Sequence, residues 1–294
     1  MAIFGITPIY LTTMNNALLV PTDFSSNAKL ALEYAMRLAE RFNWSIHLFH
    51  TYFPVRNALA GADFIDELQE ANLLRKQENM ALIEEEFKQR FPTVTLTTAC
   101  IEGDLTKVTL ALIEETPYRL LVMGTKGAGK IKGATIGSNT FDLIQHSPIG
   151  VLAIPETEHS FKLENLGILT NFKESEFALF RGFINRLNVP MNLILLHAFE
   201  TKDLPAEADV DFWKSKFEHT LLNEVNYSQE EVVRRLDYNS PVPRCIERMV
   251  KREDVDILLV SYNHKSFFKQ LFSKNLTKSI ALNPNVPTYF MRDR

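Results

Sequence analysis

The sequence predicts an α/β protein made of two tandem open sheets, each with five parallel strands and helices on both faces. Three observations carry this reading. The chain has 294 residues, which at roughly 150 residues per domain is room for two domains. Short apolar runs alternate with longer helical stretches, the arrangement that gives parallel strands under covering helices. The same order of segments then begins again in the second half. The expected organisation is a tail over 1–14, a first domain over 15–157 and a second domain over 163–294, joined by a short polar linker.

Each element follows from local chemistry. Residues 17–21 (ALLVP) read as a buried strand. Thr22, Asp23, Ser25 and Ser26 supply turn and N-cap chemistry. Over 27–42, Leu30, Tyr34, Leu38 and Phe42 recur at i+4, which is helical spacing. Residues 45–51 (SIHLFHT) form the second strand, and 66–91 a long charged helix expected to be solvated on most faces. Residues 94–101 are strand-like, 105–115 a helix and 120–123 (LLVM) a strand. A glycine-rich loop fills 124–137. A short helix over 138–146 and a strand over 149–154 complete the half.

The second half repeats this sequence of elements. Residues 166–170 (LGILT) match the first strand, 174–187 the first helix and 191–197 (MNLILLH) the second strand. His50 and His197 close the two matching strands and are expected to be structural. Strands follow at 232–238 and 256–260, with a helix over 243–251 between them, and 286–291 is the last strand. Asp23 aligns with Asn171, Gly124 with Ser261 and Pro148 with Pro287. The offset between the halves shrinks by about ten residues along the way, so the halves differ by small insertions and deletions. Solenoid repeats have far shorter periods than this.

Composition narrows the function. Hydrophobic residues make up 46% and charged residues 23%, a globular balance rather than a disordered one. Thirty-two basic against thirty-six acidic residues give a net charge of −4. That excludes a strongly basic nucleic-acid binder, so no nucleic-acid partner is expected. No run approaches the roughly 20 apolar residues of a membrane span. The first residues lack a basic segment and contain Pro8, so no secretory leader is expected and the expected location is the cytoplasm. Cys100 and Cys245 cannot form a CxxC or zinc cluster and read as reduced thiols. The seven histidines show no HxxxH or HExxH pattern, so no metal centre is expected.

The most informative segment is 123–139, MGTKGAGKIKGATIGSN. It holds Gly124, Gly127, Gly129, Gly133 and Gly137, five of the eleven glycines in the chain. It also holds Lys126, Lys130 and Lys132, and no acid. Glycines let a backbone turn tightly and approach a ligand closely. The helix start after Gly137 presents unpaired N–H donors and a positive dipole end, which suit phosphate. Ser138 adds a hydroxyl. The segment is neither a Walker A loop nor a dinucleotide fingerprint, since it lacks Gly-Lys-Ser/Thr and follows the fourth strand. Asp23 stands at the carboxyl end of the first strand, where open parallel sheets bind ligands. It suits a ribose or adenine and equally suits a helix cap.

Val20-Pro21-Thr22-Asp23-Phe24-Ser25, together with Gly124-x2-Gly127-x9-Gly137-Ser138, resembles the universal stress protein family. The family's ATP-binding members carry G-x2-G-x9-G-[S/T] after the fourth strand and an Asp after the first. The resemblance covers 16–155 well and the remainder more weakly. It implies an adenine-nucleotide alpha-hydrolase-like domain that binds ATP, with Mg as the accompanying ion. By position, Asp23, with Thr22 beside it, would contact the adenosine. Thr51, just after the second strand, would give backbone contacts to adenine, and Gly103 would form a turn near the nucleotide. Gly124, Gly127, Gly137, Ser138 and Asn139 would hold the phosphates and ribose, with Lys126 and Lys130 as supplementary charge.

In the second half the matching positions are Asn171, Ser261, His264, Lys274 and Asn275, so every motif glycine is replaced. A Cβ where the backbone must approach closely obstructs a phosphate, and this half is expected to bind ATP poorly. The resemblance further implies that the last strands pair across the two halves as an intramolecular pseudo-dimer, and that two such chains can pair again. The expected role is nucleotide-dependent stress response or signalling. No residue stands out as a base for water, so any ATPase activity is expected to be weak. Two other readings stay open: an ATP-cleaving or adenylyl-transferring enzyme, and a nucleotide-independent interaction protein of the same fold.

Overall fold

The structure is a computed structural model that describes residues 16–54, 62–126, 136–156, 161–170, 173–187, 189–198, 207–224, 233–237, 242–261 and 285–291. The run ALLVP forms β1 (Ala17–Pro21), buried at all five positions, as befits a strand covered on both faces. The chain leaves it into α1 (Ser26–Phe42). There the Ser25 hydroxyl caps the helix by accepting from the Ala28 N–H at 3.2 Å, and Asn43 ends it in a left-handed conformation at φ 53°. The remaining elements of this half are β2 (Ser45–Tyr52), α2 (Ala62–Arg90), β3 (Leu96–Glu102), α3 (Leu105–Glu115), β4 (Leu120–Gly124), α4 (Ser138–His146) and β5 (Val151–Ile154).

The second half runs β6 (Asn165–Leu169), α5 (Glu174–Arg186), β7 (Asn192–Ala198), α6 (Glu207–Glu224), β8 (Val233–Asp237), α7 (Val242–Arg252), β9 (Ile257–Ser261) and β10 (Thr288–Met291). All ten strands lie in one open sheet in the order β3-β2-β1-β4-β5-β10-β9-β6-β7-β8. The second five strands therefore repeat the order of the first five, reflected about the β5–β10 pair. Every pairing is parallel except that one, where Val151, Leu152 and Ala153 face Phe290, Tyr289 and Thr288 in antiparallel register.

The two faces of the sheet hold two cores. On one, α1, α2, α5 and α6 cover Leu18, Leu48, Ile168, Leu259 and Tyr289, with Phe87, Phe180, Phe183 and Phe217 packed between. On the other, α3, α4 and α7 cover Leu19, Phe49, Leu121, Leu258 and Phe290. The halves also meet away from the strands. An Arg119 guanidinium N–H donates to the Arg186 carbonyl at 3.0 Å, and the ring of Phe161 in the linker meets the Tyr34 ring of α1 edge-on at 5.1 Å.

Two elements differ from the sequence expectation. Helix α2 is not merely solvated, since Met80 and Phe87 are buried against the sheet. Their seven-residue spacing puts them on one helical face, so two large apolar side chains suffice to dock a helix otherwise rich in charge. Helix α6 has no counterpart in the sequence reading, because acids and aromatics interleave along it without a clear apolar stripe. Cys245 is buried and Cys100 half-buried, both as free thiols. Among the described residues no helix is long and apolar enough to cross a membrane.

Candidate functional site at the β1–β4 switch point

Strand β1 sits between β2 on one side and β4 on the other. The chain reverses its direction of travel across the sheet here, and the carboxyl ends of β1 and β4 flank the crevice where open α/β sheets bind ligands. The register pairs Leu19 with Leu121, which sets Thr22 level with Gly124 just beyond the paired residues. It also pairs Pro21 with Phe49, which sets Asp23 level with Thr51.

The turn after β1 is tightly specified. The Thr22 N–H donates to the Phe49 carbonyl at 2.8 Å and extends the ladder. The Thr22 hydroxyl accepts from the Phe24 N–H at 3.1 Å, and an Asp23 carboxylate oxygen accepts from the Ser25 N–H at 3.0 Å. Phe24 takes a left-handed conformation at φ 63°. Its ring lies on the His50 ring with centroids 4.4 Å apart. The His50 Nδ1 lies 2.7 Å from the Thr22 carbonyl, so Nδ1 carries the proton. Asp23 itself is exposed at the crevice. A cleft of about 190 Å³ opens beside Thr22 and Phe24, lined also by Lys29, Leu32 and Ile83.

On the other side, both ends of the glycine-rich loop are pinned. The Gly137 N–H donates to the Thr125 carbonyl at 2.7 Å, and the Thr140 hydroxyl donates to the Gly124 carbonyl at 2.9 Å. Gly137 is the N-cap of α4 and provides no side-chain cap, so the first-turn N–H groups keep their donor capacity for a ligand. Ser138 and Asn139 are exposed in that turn. Lys126 is already engaged. Its N–H donates to the Asn27 carboxamide oxygen at 2.8 Å, and its ammonium pairs with Glu156 at 3.3 Å.

The structure thus brings Thr22, Asp23, Gly124, Gly137, Ser138 and Asn139 to one sheet edge. Thr51 is one strand away and lies inside β2 rather than after it. Gly103 lies beyond β3, where its N–H donates to the Tyr52 carbonyl at 2.9 Å. Its φ of +140° is a conformation that only glycine adopts freely. Gly127, Gly129, Lys130, Lys132 and Gly133 lie outside the described residues. Two residues that organise the edge escaped the sequence reading as site residues. Asn27 looks like any polar residue in a first helical turn. His50 is marked only by its recurrence at the end of a repeated strand.

The second half copies the scaffold and changes the chemistry. The Thr170 N–H donates to the Leu196 carbonyl at 2.9 Å, and the His197 Nδ1 meets the Thr170 carbonyl at 2.6 Å. Ser261, buried, ends β9 where Gly124 ends β4. The Glu176 carboxylate, also buried, accepts from the Thr170 hydroxyl at 2.6 Å and from the Lys173 N–H at 3.1 Å. Asn171, His264, Lys274 and Asn275 lie outside the described residues. Among the described residues no three His, Cys, Asp or Glu side chains are grouped to hold a metal ion.

Burial holds the pKa of both His50 and His197 below the ordinary value of 6.5, against a backbone hydrogen bond that pulls each back up. A histidine depressed in the folded state binds fewer protons there than when unfolded. Its stabilising effect is present above the unfolded pKa and is lost as pH falls through 6.5 toward the folded value. Urea unfolding is therefore expected to show stability falling as the pH drops below about 6.5. The double variant His50→Gln/His197→Gln should reduce that slope, with His47, which burial depresses likewise, supplying the remainder. An unchanged slope in the double variant would place the proton uptake elsewhere.

A sequence model of the universal stress protein family matches residues 14–155. Residues 14–155 form a domain of this family. The likeness of fold extends further. A universal stress protein from Archaeoglobus fulgidus superposes with a TM-score of 0.64 at 15% identity, covering 95% of this chain and 98% of that one. A protein of unknown function from Pseudomonas aeruginosa superposes at 0.52 with 13% identity, over 95% of this chain and 94% of its own. At such identities the likeness is one of fold. No curated protein matches the chain.

Proposed function

We propose that this universal stress protein binds one ATP, with Mg, in its first half and acts as a nucleotide-dependent stress-response or signalling protein with at most slow hydrolysis. The observation that carries the reading is the meeting of Thr22 and Asp23 with Gly124 and the uncapped first turn of α4 at the β1–β4 switch point. Asp23 would take the adenosine, Thr51 and Gly103 would border it, and Gly124, Gly127, Gly137, Ser138 and Asn139 would hold phosphates and ribose. The residues fit such a group. The α4 N-terminus supplies N–H donors and a positive dipole end for phosphate, and the exposed Asp23 carboxylate supplies acceptors for hydroxyls or an amine. His50, with its Nδ1–H on the Thr22 carbonyl and its ring against Phe24, orders the turn that carries Asp23.

The second half, taken as a tandem unit over 163–294, is a partner rather than a second ATP site. The Ser261 that replaces Gly124 supports that division. Strand β10 then occupies the β5 edge that the family resemblance assigns to dimer pairing.

The test is the nucleotide content of natively purified protein, with Gly137→Val and Asp23→Ala beside it. One ATP per chain, lost in Gly137→Val, is expected, because a β-branched side chain stands in front of the first-turn N–H groups. Two per chain would overturn the reading of the second half. None, with no uptake of added Mg-ATP, would leave a nucleotide-independent interaction protein in front.

A further inference from the structure

Asn27 is 2% exposed, deeper than a polar residue in a first helical turn needs to be. Its carboxamide is fully engaged in one direction. Nδ2 donates to the Ile154 carbonyl at 3.0 Å. Oδ1 accepts from the Lys126 N–H at 2.8 Å and lies 3.5 Å from the Thr125 hydroxyl. The same Ile154 carbonyl accepts from the Thr125 N–H at 2.9 Å, and Glu156, two residues on, pairs with the Lys126 ammonium at 3.3 Å. One side chain from α1 therefore bolts the start of the glycine-rich loop to the end of β5.

The neighbouring glycine has the same cause. A Cβ on Gly124 would stand 2.7 Å from the Asn27 Oδ1 and 2.8 Å from its Cγ, closer than real Cβ contacts come. The space that Gly124 leaves open is filled by the Asn27 carboxamide. In the second half the corresponding residues are Ser175 and Ser261, so the large–none pair of side chains becomes a small–small pair. The two positions change together.

We propose that Asn27 is the positioning residue of the nucleotide loop, and that Gly124 is glycine to admit the Asn27 carboxamide. The proposal rests on the ATP reading for its ligand and on geometry alone for its coupling. Asn27 touches no reacting atom. It acts by fixing Thr125 and Lys126, and through the Gly137 to Thr125 bond the far end of the loop as well.

The experiment uses the full chain in four forms: wild type, Asn27→Ala, Gly124→Ala and the double variant. Three readouts are taken: ATP affinity by calorimetry, thermal midpoint, and amide hydrogen exchange at Thr125 and Lys126 without nucleotide. Asn27→Ala is expected to weaken ATP at least tenfold and to speed Lys126 exchange at least tenfold. Gly124→Ala is expected to lower the midpoint more in wild type than in the Asn27→Ala background, where the colliding carboxamide is gone. Wild-type-like ATP affinity in Asn27→Ala would overturn the positioning role. Equal loss from Gly124→Ala in both backgrounds would overturn the coupling. If wild type itself binds no ATP, the functional reading and the positioning role both fall, while exchange and midpoints still judge the coupling. Asn27→Ser/Gly124→Ser, the second-half pair, guards against simple misfolding: it is expected to fold and to bind ATP as weakly as Asn27→Ala.

Discussion

Gly150→Ala is expected to destabilise the protein by about 3 kcal/mol, the upper range for overpacking a close-packed core. Gly150 precedes β5, and a Cβ there would stand 2.2 Å from both Cε2 and the hydroxyl oxygen of Tyr289 on β10. Tyr289 has nowhere to retreat. It is fully buried, and its ring meets the Phe183 ring edge-on at 5.1 Å. At roughly 2–4 °C per kcal/mol, the thermal midpoint should fall by about 6–12 °C. Adding Tyr289→Phe should recover only part of this, because the ring carbons crowd the site as closely as the oxygen does. A shift under about 2 °C would mean that the ring swings aside and the junction of the halves is loosely packed.

Phe183→Ala is the second large effect, at about 3–5 kcal/mol. Phe183 is 1% exposed on α5 and packs over the last strand through Tyr289. Its removal leaves a ring-sized hole under a helix whose neighbouring Gly182 already lets Met291 approach to 3.0 Å of its missing Cβ, so little can collapse inward. Phe53→Ala is the control. Phe53 is 66% exposed, and its truncation should stay within about 0.5 kcal/mol. Denaturant midpoints at fixed slope compare the two directly. A loss below about 1 kcal/mol in Phe183→Ala would mean that the α5 packing relaxes freely.

Much of the architecture is legible in the chain itself. Strands β1, β4 and β5 are short, buried apolar runs, and α1 carries an i+4 apolar ladder opened by a serine cap. Such signals are local, and the structure realises them within a residue or two. The elements that resist reading are those whose apolar face is sparse. Helix α6 has no clear stripe, and α2 docks by few large side chains in a long charged helix. The site divides in the same way. The glycine spacing and Asp23 announce themselves because they are unusual in one stretch of sequence. Asn27 does not, because its partners lie 99 and 127 residues away. No local pattern separates a buried latch from a solvated amide.

The β5–β10 pair has a consequence for how such a protein can assemble. When the two halves are aligned by Pro148 and Pro287, Gly150 corresponds to Tyr289, and the self-corresponding pair Val151–Phe290 marks the local axis. Gly150 and Tyr289 are thus two versions of one position, and they touch each other across that axis. In a symmetric dimer a residue beside the axis comes close to its own copy. Two tyrosines would collide there, and two glycines would leave a hole. A knob on one half and a socket on the other resolve both problems, and only a chain that encodes the halves separately can hold them. Self-pairing of either half along this edge is disfavoured by the same pair of residues that favours the union.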